Sequence, residues 1–369
     1  MRIAQVATCS GPVREDQTGS VESLIWLLTR ELTAMGHEVT VFGCAGSQVH
    51  GELVVTHPGS YGAGGTPSDW QLCDWMSLAA AVDQSHRFDV IHSHAYLWGL
   101  ALERFSKAPM VHTMHTCPYE DEALLWDRFP DTRITAVSAF QWSQATTRAP
   151  CAIVHHGVDP ARYAFSDSPQ DYLCYLGRFI PGKGPLEAVR IARKLSIPLL
   201  LAGPENEYFS STIRPHVDGR LIHYAGAVDH AARNALLAGA KALLYPLTQP
   251  EPFGLVQIEA MMCGTPVVGT KIGAIPEIVA HGVTGCLATT VDGLLDAVAS
   301  ATALPRAPIR HEAESRFSSS RMSSGYLSVY EHVSGARGVS GPWRAHRPVP
   351  ISRSTVGSRQ SFYGAYQRV

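Results

Sequence analysis

Glu251 and Glu259 stand eight positions apart in Glu251-Pro-Phe-Gly-Leu-Val-Gln-Ile-Glu259, which runs on into Ala-Met-Met-Cys-Gly-Thr-Pro-Val-Val. Pro252 pushes Glu251 into an extended conformation, so a helix can begin only around Gly254. Leu255, Ile258 and Met262 then share one helical stripe, and Glu259 falls on it. A carboxylate aimed where its neighbours are apolar is costly unless a specific partner answers it. Free N–H groups at the start of a helix attract phosphate, and a carboxylate can accept from both hydroxyls of a ribose. The combination suits a sugar nucleotide. A second loop carries cations: strand Leu173–Gly177 leads into Arg178-Phe-Ile-Pro-Gly-Lys-Gly184, and Pro185 suits a first helical turn. Arg178 and Lys183 alone would read as solvated surface charges. Set beside the Glu251–Glu259 segment at the same sheet edge, they fit a clamp for a leaving diphosphate, on which charge accumulates as the glycosidic bond breaks.

The elements that must position these groups alternate between short apolar runs and helix-length amphipathic segments, the pattern of parallel α/β architecture. Strands are predicted at Ile3–Ala7, Glu38–Phe42, Leu53–Thr56, Asp89–His92, Met110–His112, Ile134–Ser138 and Ala152–His155. Ser20 is read as the cap of a first helix that Gly36 closes. The polar stretch Pro160–Pro169 marks a domain boundary, after which the alternation restarts with strands at Leu173–Gly177, Pro198–Ala202, Leu221–Tyr224, Ala242–Pro246 and Pro266–Val268. Helices are expected from about Pro185, Asn206, Asp229 and Gly254. The reading is two Rossmann-like α/β domains with parallel sheets facing a central cleft, residues 1–160 and 161–311. Ligands in such sheets lie at the carboxyl ends of the strands. A helical pattern returns over 312–335, and 336–369 is an arginine- and serine-rich tail without acids, too polar to build a core.

Bulk properties exclude several classes. A formal charge of −2 over 369 residues gives no field for nucleic acid or anionic membrane. The helix beginning at Ser20 carries one cation, Arg30, short of a basic surface-seeking helix. No apolar run reaches membrane-spanning length, the N-terminus lacks a signal-peptide core, and eight cysteines without short spacings read as free thiols; a cytoplasmic protein is expected. Seventeen histidines include His92-Ser-His94, but no carboxylate or thiolate lies near enough in sequence to complete a metal site, so no metal is expected.

With these residues assembled, residues 1–332 or so resemble the family 4 glycosyltransferases of the GT-B fold, through the Glu-x7-Glu motif, Gly177-Arg178 with Lys183-Gly184, the loop after the first strand and the late Phe317…Tyr326…Tyr330 segment. That resemblance implies retaining transfer of a hexose from a nucleotide-diphosphate sugar, UDP-glucose or GDP-mannose in type, without a divalent metal or other cofactor, to a small-molecule or glycan acceptor. It implies that Glu251 contacts sugar hydroxyls, and that the amides of Phe253, Gly254 and Leu255 line the sugar and diphosphate. Glu259 would bind the ribose, and Arg178 and Lys183 the diphosphate. Gly19 and Ser20 would approach the donor, and His115 would lie beside the sugar. It also implies that the last helix packs back on the first domain. Four positions depart from the family pattern: Ser20 and Thr116, where glycine is common; His156, where asparagine is usual; and Gly273-Ala274, in place of a frequent Gly-Gly. The phrasing is similar to bacterial relatives that glycosylate pterins or antibiotics. Aromatic residues Tyr61, Trp70, Trp75, Tyr96, Trp98 and Trp126 are open to two readings, acceptor lining or core. Two rival functions are a GT-B nucleotide-sugar 2-epimerase and a non-catalytic nucleotide-sugar binding protein.

Overall fold

A computed structural model of the chain describes residues 1–15, 20–60, 69–118, 122–145, 147 and 151–335. Gly19, Tyr61 and the basic tail lie outside those residues. Among the described residues, thirteen strands form two sheets, and all strand pairings within them are parallel. The first sheet holds β1 (Arg2–Val6), β2 (Glu38–Cys44), β3 (Glu52–His57), β4 (Val90–Ser93), β5 (Met110–Met114), β6 (Arg133–Ala136) and β7 (Cys151–Ile153), in the order β3-β2-β1-β4-β5-β6-β7. The second holds β8 (Leu173–Leu176), β9 (Leu199–Ala202), β10 (Ile222–Tyr224), β11 (Ala242–Tyr245), β12 (Val267–Thr270) and β13 (Gly285–Ala288), in the order β10-β9-β8-β11-β12-β13. In each sheet the strand order reverses once, between β1 and β4 and between β8 and β11. A crevice opens outside the strand ends at such a reversal.

The central strands are apolar along their whole length because helices cover both faces: β8, β11 and β12 are buried at every residue. Their helices start where the local chemistry dictates. Pro185 occupies the first turn of helix Pro185–Leu195, and the Asp229 carboxylate accepts from the Ala232 amide at 2.8 Å to cap helix His230–Gly239. At Asn206 the expected helix is a short wide-turned π segment, Phe209–Ile213, whose Phe209 amide bonds the Asn206 side chain.

Among the elements that escaped the sequence reading are one strand and two helices. Strand β13, Gly-Cys-Leu-Ala, has no β-branched residue to announce it. Helix Gly293–Thr302 covers it. Helix Trp70–Asp83 turns Asp74 and Ser77 inward and leaves Leu72, Trp75 and Met76 exposed, which inverts the usual pattern.

The C-terminal segment departs from the expected single helix over 312–335. Helix Arg306–Phe317 begins earlier and packs Ile309, Ala313 and Phe317 into the second unit's core. The chain breaks at Ser318, and helix Ser319–Val333 then lays Met322, Tyr326, Val329 and Tyr330 against the core of the first sheet. At the break, the Val158 amide donates to the Phe317 carbonyl and the Ser319 amide to the Val158 carbonyl, so the two crossings between units lie side by side. Among the described residues, no helix is long and apolar enough to cross a membrane.

Candidate active site

Both candidate loops of the second unit follow the strands that flank its reversal, β8 and β11. The Gly182 carbonyl accepts from the Thr248 and Gln249 amides, and Thr248 Oγ1 donates to the Pro181 carbonyl at 3.0 Å, so the two loops are clasped together. A third loop supports Glu251 from behind: the Ala274 amide donates to the Glu251 carbonyl at 3.1 Å. Gly273 there has φ +62°, and a Cβ on it would meet the Glu251 amide nitrogen at 2.6 Å. Glycine alone allows that contact.

The Glu251 carboxylate is held on both oxygens. One meets the Lys183 ammonium, the other accepts from the Tyr245 hydroxyl. Lys183 also lies 5.8 Å from the centre of the Tyr245 ring. Burial and the Glu251 charge push Tyr245 well above the usual phenol range, so it remains a donor. Gly254, with φ +89°, precedes helix Leu255–Met262, and a Cβ on it would meet the Tyr245 hydroxyl at 2.7 Å. Phe253 is buried, Leu255 partly so. Arg178 is exposed on the neighbouring loop, and its guanidinium makes no ion pair among the described residues.

Glu259 is buried, as its apolar stripe predicts, and the partners that answer it are Arg233 at 3.0 Å and the Tyr163 hydroxyl at 3.1 Å. The same carboxylate holds Arg233 above its ordinary value. Neither partner is visible in the sequence: Arg233 lies on the helix after β10 and Tyr163 in the linker between units.

The first unit faces these loops with imidazoles. His115, just after β5, has its Nε2 3.0 Å from His94 Nδ1, and its other face stacks on His156 at 5.5 Å between centroids. His156 in turn meets the Phe253 ring edge-to-face at 5.0 Å, so the wall touches the second unit's loop. Burial pushes His115 down to about 4 and His94 and His156 well below the usual imidazole range; all three are neutral at physiological pH. Cys117, two residues on, is pushed up to about 12 by burial and by the Glu251 charge, which places this loop within reach of that carboxylate's field. Ser138 Oγ donates to the Pro252 carbonyl at 2.6 Å, and Glu277 accepts from the Ala139 and Phe140 amides and pairs with His155 at 2.7 Å. These contacts join the two units beside the site.

Thus Glu251, Lys183, Gly254 and Phe253 come together on one edge, and His115 on the other. Ser20 is the first residue of helix Ser20–Ala34. Trp126 is fully buried and belongs to the core, while Trp70, Trp75 and Trp98 group with ring centroids 6.3–6.4 Å apart. His92 and His94 each bond protein side chains, and no group of three or more candidate metal ligands occurs among the described residues.

Known proteins resemble this chain in sequence and fold. Residues 21–162 match the family model described as Glycosyltransferase Family 4, and residues 170–303 match Glycosyl transferases group 1. The D-inositol 3-phosphate glycosyltransferase of Mycolicibacterium smegmatis is 28% identical, with 95% of this chain and 94% of that one aligned. This chain is a glycosyltransferase of the family 4 type. The glycosyltransferase also shares its GT-B fold with solved structures. An enzyme involved in avilamycin A biosynthesis superposes with a TM-score of 0.68 at 24% identity, over 90% of this chain and 98% of that one. HepE from Anabaena, in complex with UDP and glucose, superposes with a TM-score of 0.67 at 19% identity, over 90% of this chain and all of that one.

Sequence reasoning missed five groups that shape the glycosyltransferase's site: Tyr245, Arg233, Tyr163, His94 and Glu277. Only His94 left a signal, in the His92-Ser-His94 alternation.

Proposed function

We propose that the enzyme transfers a hexose, with retained configuration, from a uridine diphosphate sugar to a hydroxyl of a small polar acceptor. The observation that carries the reading is the Glu251 carboxylate, fixed by Lys183 and Tyr245 at the strand-order reversal of the second sheet and facing the His94–His115–His156 wall. The names of relatives support the classes: one acts as a D-inositol 3-phosphate glycosyltransferase, and HepE holds UDP and glucose.

Each group has a role in this reading. Lys183 and Arg178 take the diphosphate and stabilise the charge that builds on it as the sugar leaves. In this reading no metal is required, since Lys183 and Arg178 supply the positive charge. Amides of Phe253, Gly254 and Leu255 line the sugar and diphosphate, and Ser20 approaches from the first unit. Glu259, steadied by Arg233 and Tyr163, accepts from the ribose hydroxyls. With both oxygens already partnered, Glu251 accepts from sugar hydroxyls and is not the nucleophile. The opposite wall is imidazole and aromatic, which favours departure and attack on one face of the sugar over a covalent carboxylate intermediate.

The test is a panel of UDP- and GDP-sugars with and without candidate polyol acceptors, in EDTA. Acceptor-dependent release of UDP that survives chelation is expected. Nucleotide release without acceptor would point to the isomerase chemistry, and activity restored only by a divalent cation would overturn the metal-free clamp.

A further inference from the structure

Gln5 lies on β1 beneath the histidine wall and is fully buried. Its Oε1 is 3.0 Å from His94 Nε2, and its Nε2 donates to the Tyr330 hydroxyl at 3.1 Å. An amide oxygen only accepts, so His94 Nε2 must carry a hydrogen. Burial and the neighbouring imidazoles hold His94 neutral, which leaves His94 Nδ1 bare. His94 Nδ1 therefore accepts from His115 Nε2 at 3.0 Å, and His115, with one proton to place, has none on Nδ1. That Nδ1 is shielded from solvent and has no partner among the described residues.

The other arm of Gln5 runs in a matching direction. Tyr330, receiving from the amide, donates to His92 Nδ1 at 2.6 Å; His92 Nε2 donates to Thr113 Oγ1 at 2.6 Å; and Thr113 Oγ1 lies 3.3 Å from the Tyr326 hydroxyl. The Thr113 hydroxyl also meets Thr135 Oγ1, and at the end of the first arm the His115 Nδ1 lone pair is left without a partner among the described residues.

We propose that Gln5 and His94 are positioning residues that lock His115 in the Nε2-protonated tautomer, so that its bare Nδ1 accepts a hydrogen bond from a substrate hydroxyl and rejects phosphate and carbonyl oxygens. The hydroxyl's origin rests on the transferase reading; the tautomer does not. A buried acceptor without a partner is costly, and a hydroxyl ligand recovers that cost while an oxygen acceptor adds repulsion. The stacked rings of His94 and His156 on either side keep the lone pair from swinging away.

The experiment uses the full chain labelled with 15N-histidine at neutral pH, with the His115 resonances identified by their loss in His115→Gln. A protonated, pyrrole-like Nε2 and a pyridine-like Nδ1 are expected for His115 in the unliganded protein. Gln5→Met keeps side-chain length but offers His94 no oxygen; His115 should then show mixed tautomers, and kcat should fall roughly tenfold, the worth of one neutral hydrogen bond. Tyr330→Phe severs only the other arm and should leave the His115 tautomer as in the parent. A protonated Nδ1 in the parent protein, or an unaltered His115 tautomer in Gln5→Met, overturns the proposal. Absence of transfer by the parent enzyme would instead overturn the transferase reading and leave the tautomer result standing.

Discussion

The two edges of the cleft handle polarity in opposite ways. On the second unit, charges are kept and balanced: Glu251 against Lys183, Glu259 against Arg233, with a tyrosine hydroxyl completing each carboxylate. On the first unit, burial strips the charge from four histidines and leaves neutral donors and acceptors in a directed network. Charged groups suit a ligand that brings compensating charge, whereas neutral desolvated groups suit one that brings hydroxyls. The cleft is thus divided into a side for anion chemistry and a side for hydroxyl recognition.

Four measurements would break or sharpen that division. The largest effect is expected on stability at the neutral edge. Tyr330→Ala empties a fully buried aromatic position and strands Gln5 and His92, and should cost about 3–5 kcal/mol in urea unfolding. A loss under 1 kcal/mol would mean the last helix is not part of the first unit's core. Next, Lys183→Ala and Glu251→Ala, at a pair whose side chains are only 18% and 21% exposed, should each lower transfer by about 10²–10³-fold, as expected for lost transition-state stabilisation. Wild-type turnover in both would remove the charged edge from the chemistry.

Third, Glu277→Gln weakens the link to His155 and to two backbone amides and should cost roughly 1–3 kcal/mol. Its carboxyl is held below the usual range, with His155 and the Ala139 and Phe140 amides outweighing the opposing effect of burial. Its contribution is therefore present above the unfolded carboxyl range, near 4.5, and lost as pH falls through the lower folded value. Last, the histidines act in a different window. Unfolded imidazoles protonate below about 6.5, while folded His115 resists until about 4. Stability should be flat above pH 6.5 and fall between there and 4, by up to about 1.4 kcal/mol per pH unit for each buried histidine. Urea midpoints against pH would separate the two, since Glu277→Gln should flatten only the more acidic part of the curve.

Much of this division was legible in the sequence, because it rests on local signals. Parallel strands buried on both faces read as apolar runs, and Pro185 and Gly254 mark helix starts wherever they occur. The carboxylate on an apolar stripe at Glu259 declared that something must answer it. What answers it was not legible: Arg233 and Tyr163 are brought in by tertiary packing from 26 and 96 positions away. Helix Trp70–Asp83 hid for a related reason, since its inward face carries Asp74 and Ser77 and the binary pattern points the wrong way. The histidine wall was legible as a surplus of imidazoles but not as a network, because β1, β4, β5 and the last helix each supply one or two members.

The paired crossings at Val158 and Ser318 carry a consequence for the order of events on the ribosome. All seven strands of the first sheet have been made once residue 153 emerges, yet Met322, Tyr326, Val329 and Tyr330, which fill one of its cores, are among the last residues of the described chain. The first-made unit must wait, with apolar surface uncovered, while the second is synthesised. A helix translated after the whole second sheet seals a sheet translated before it.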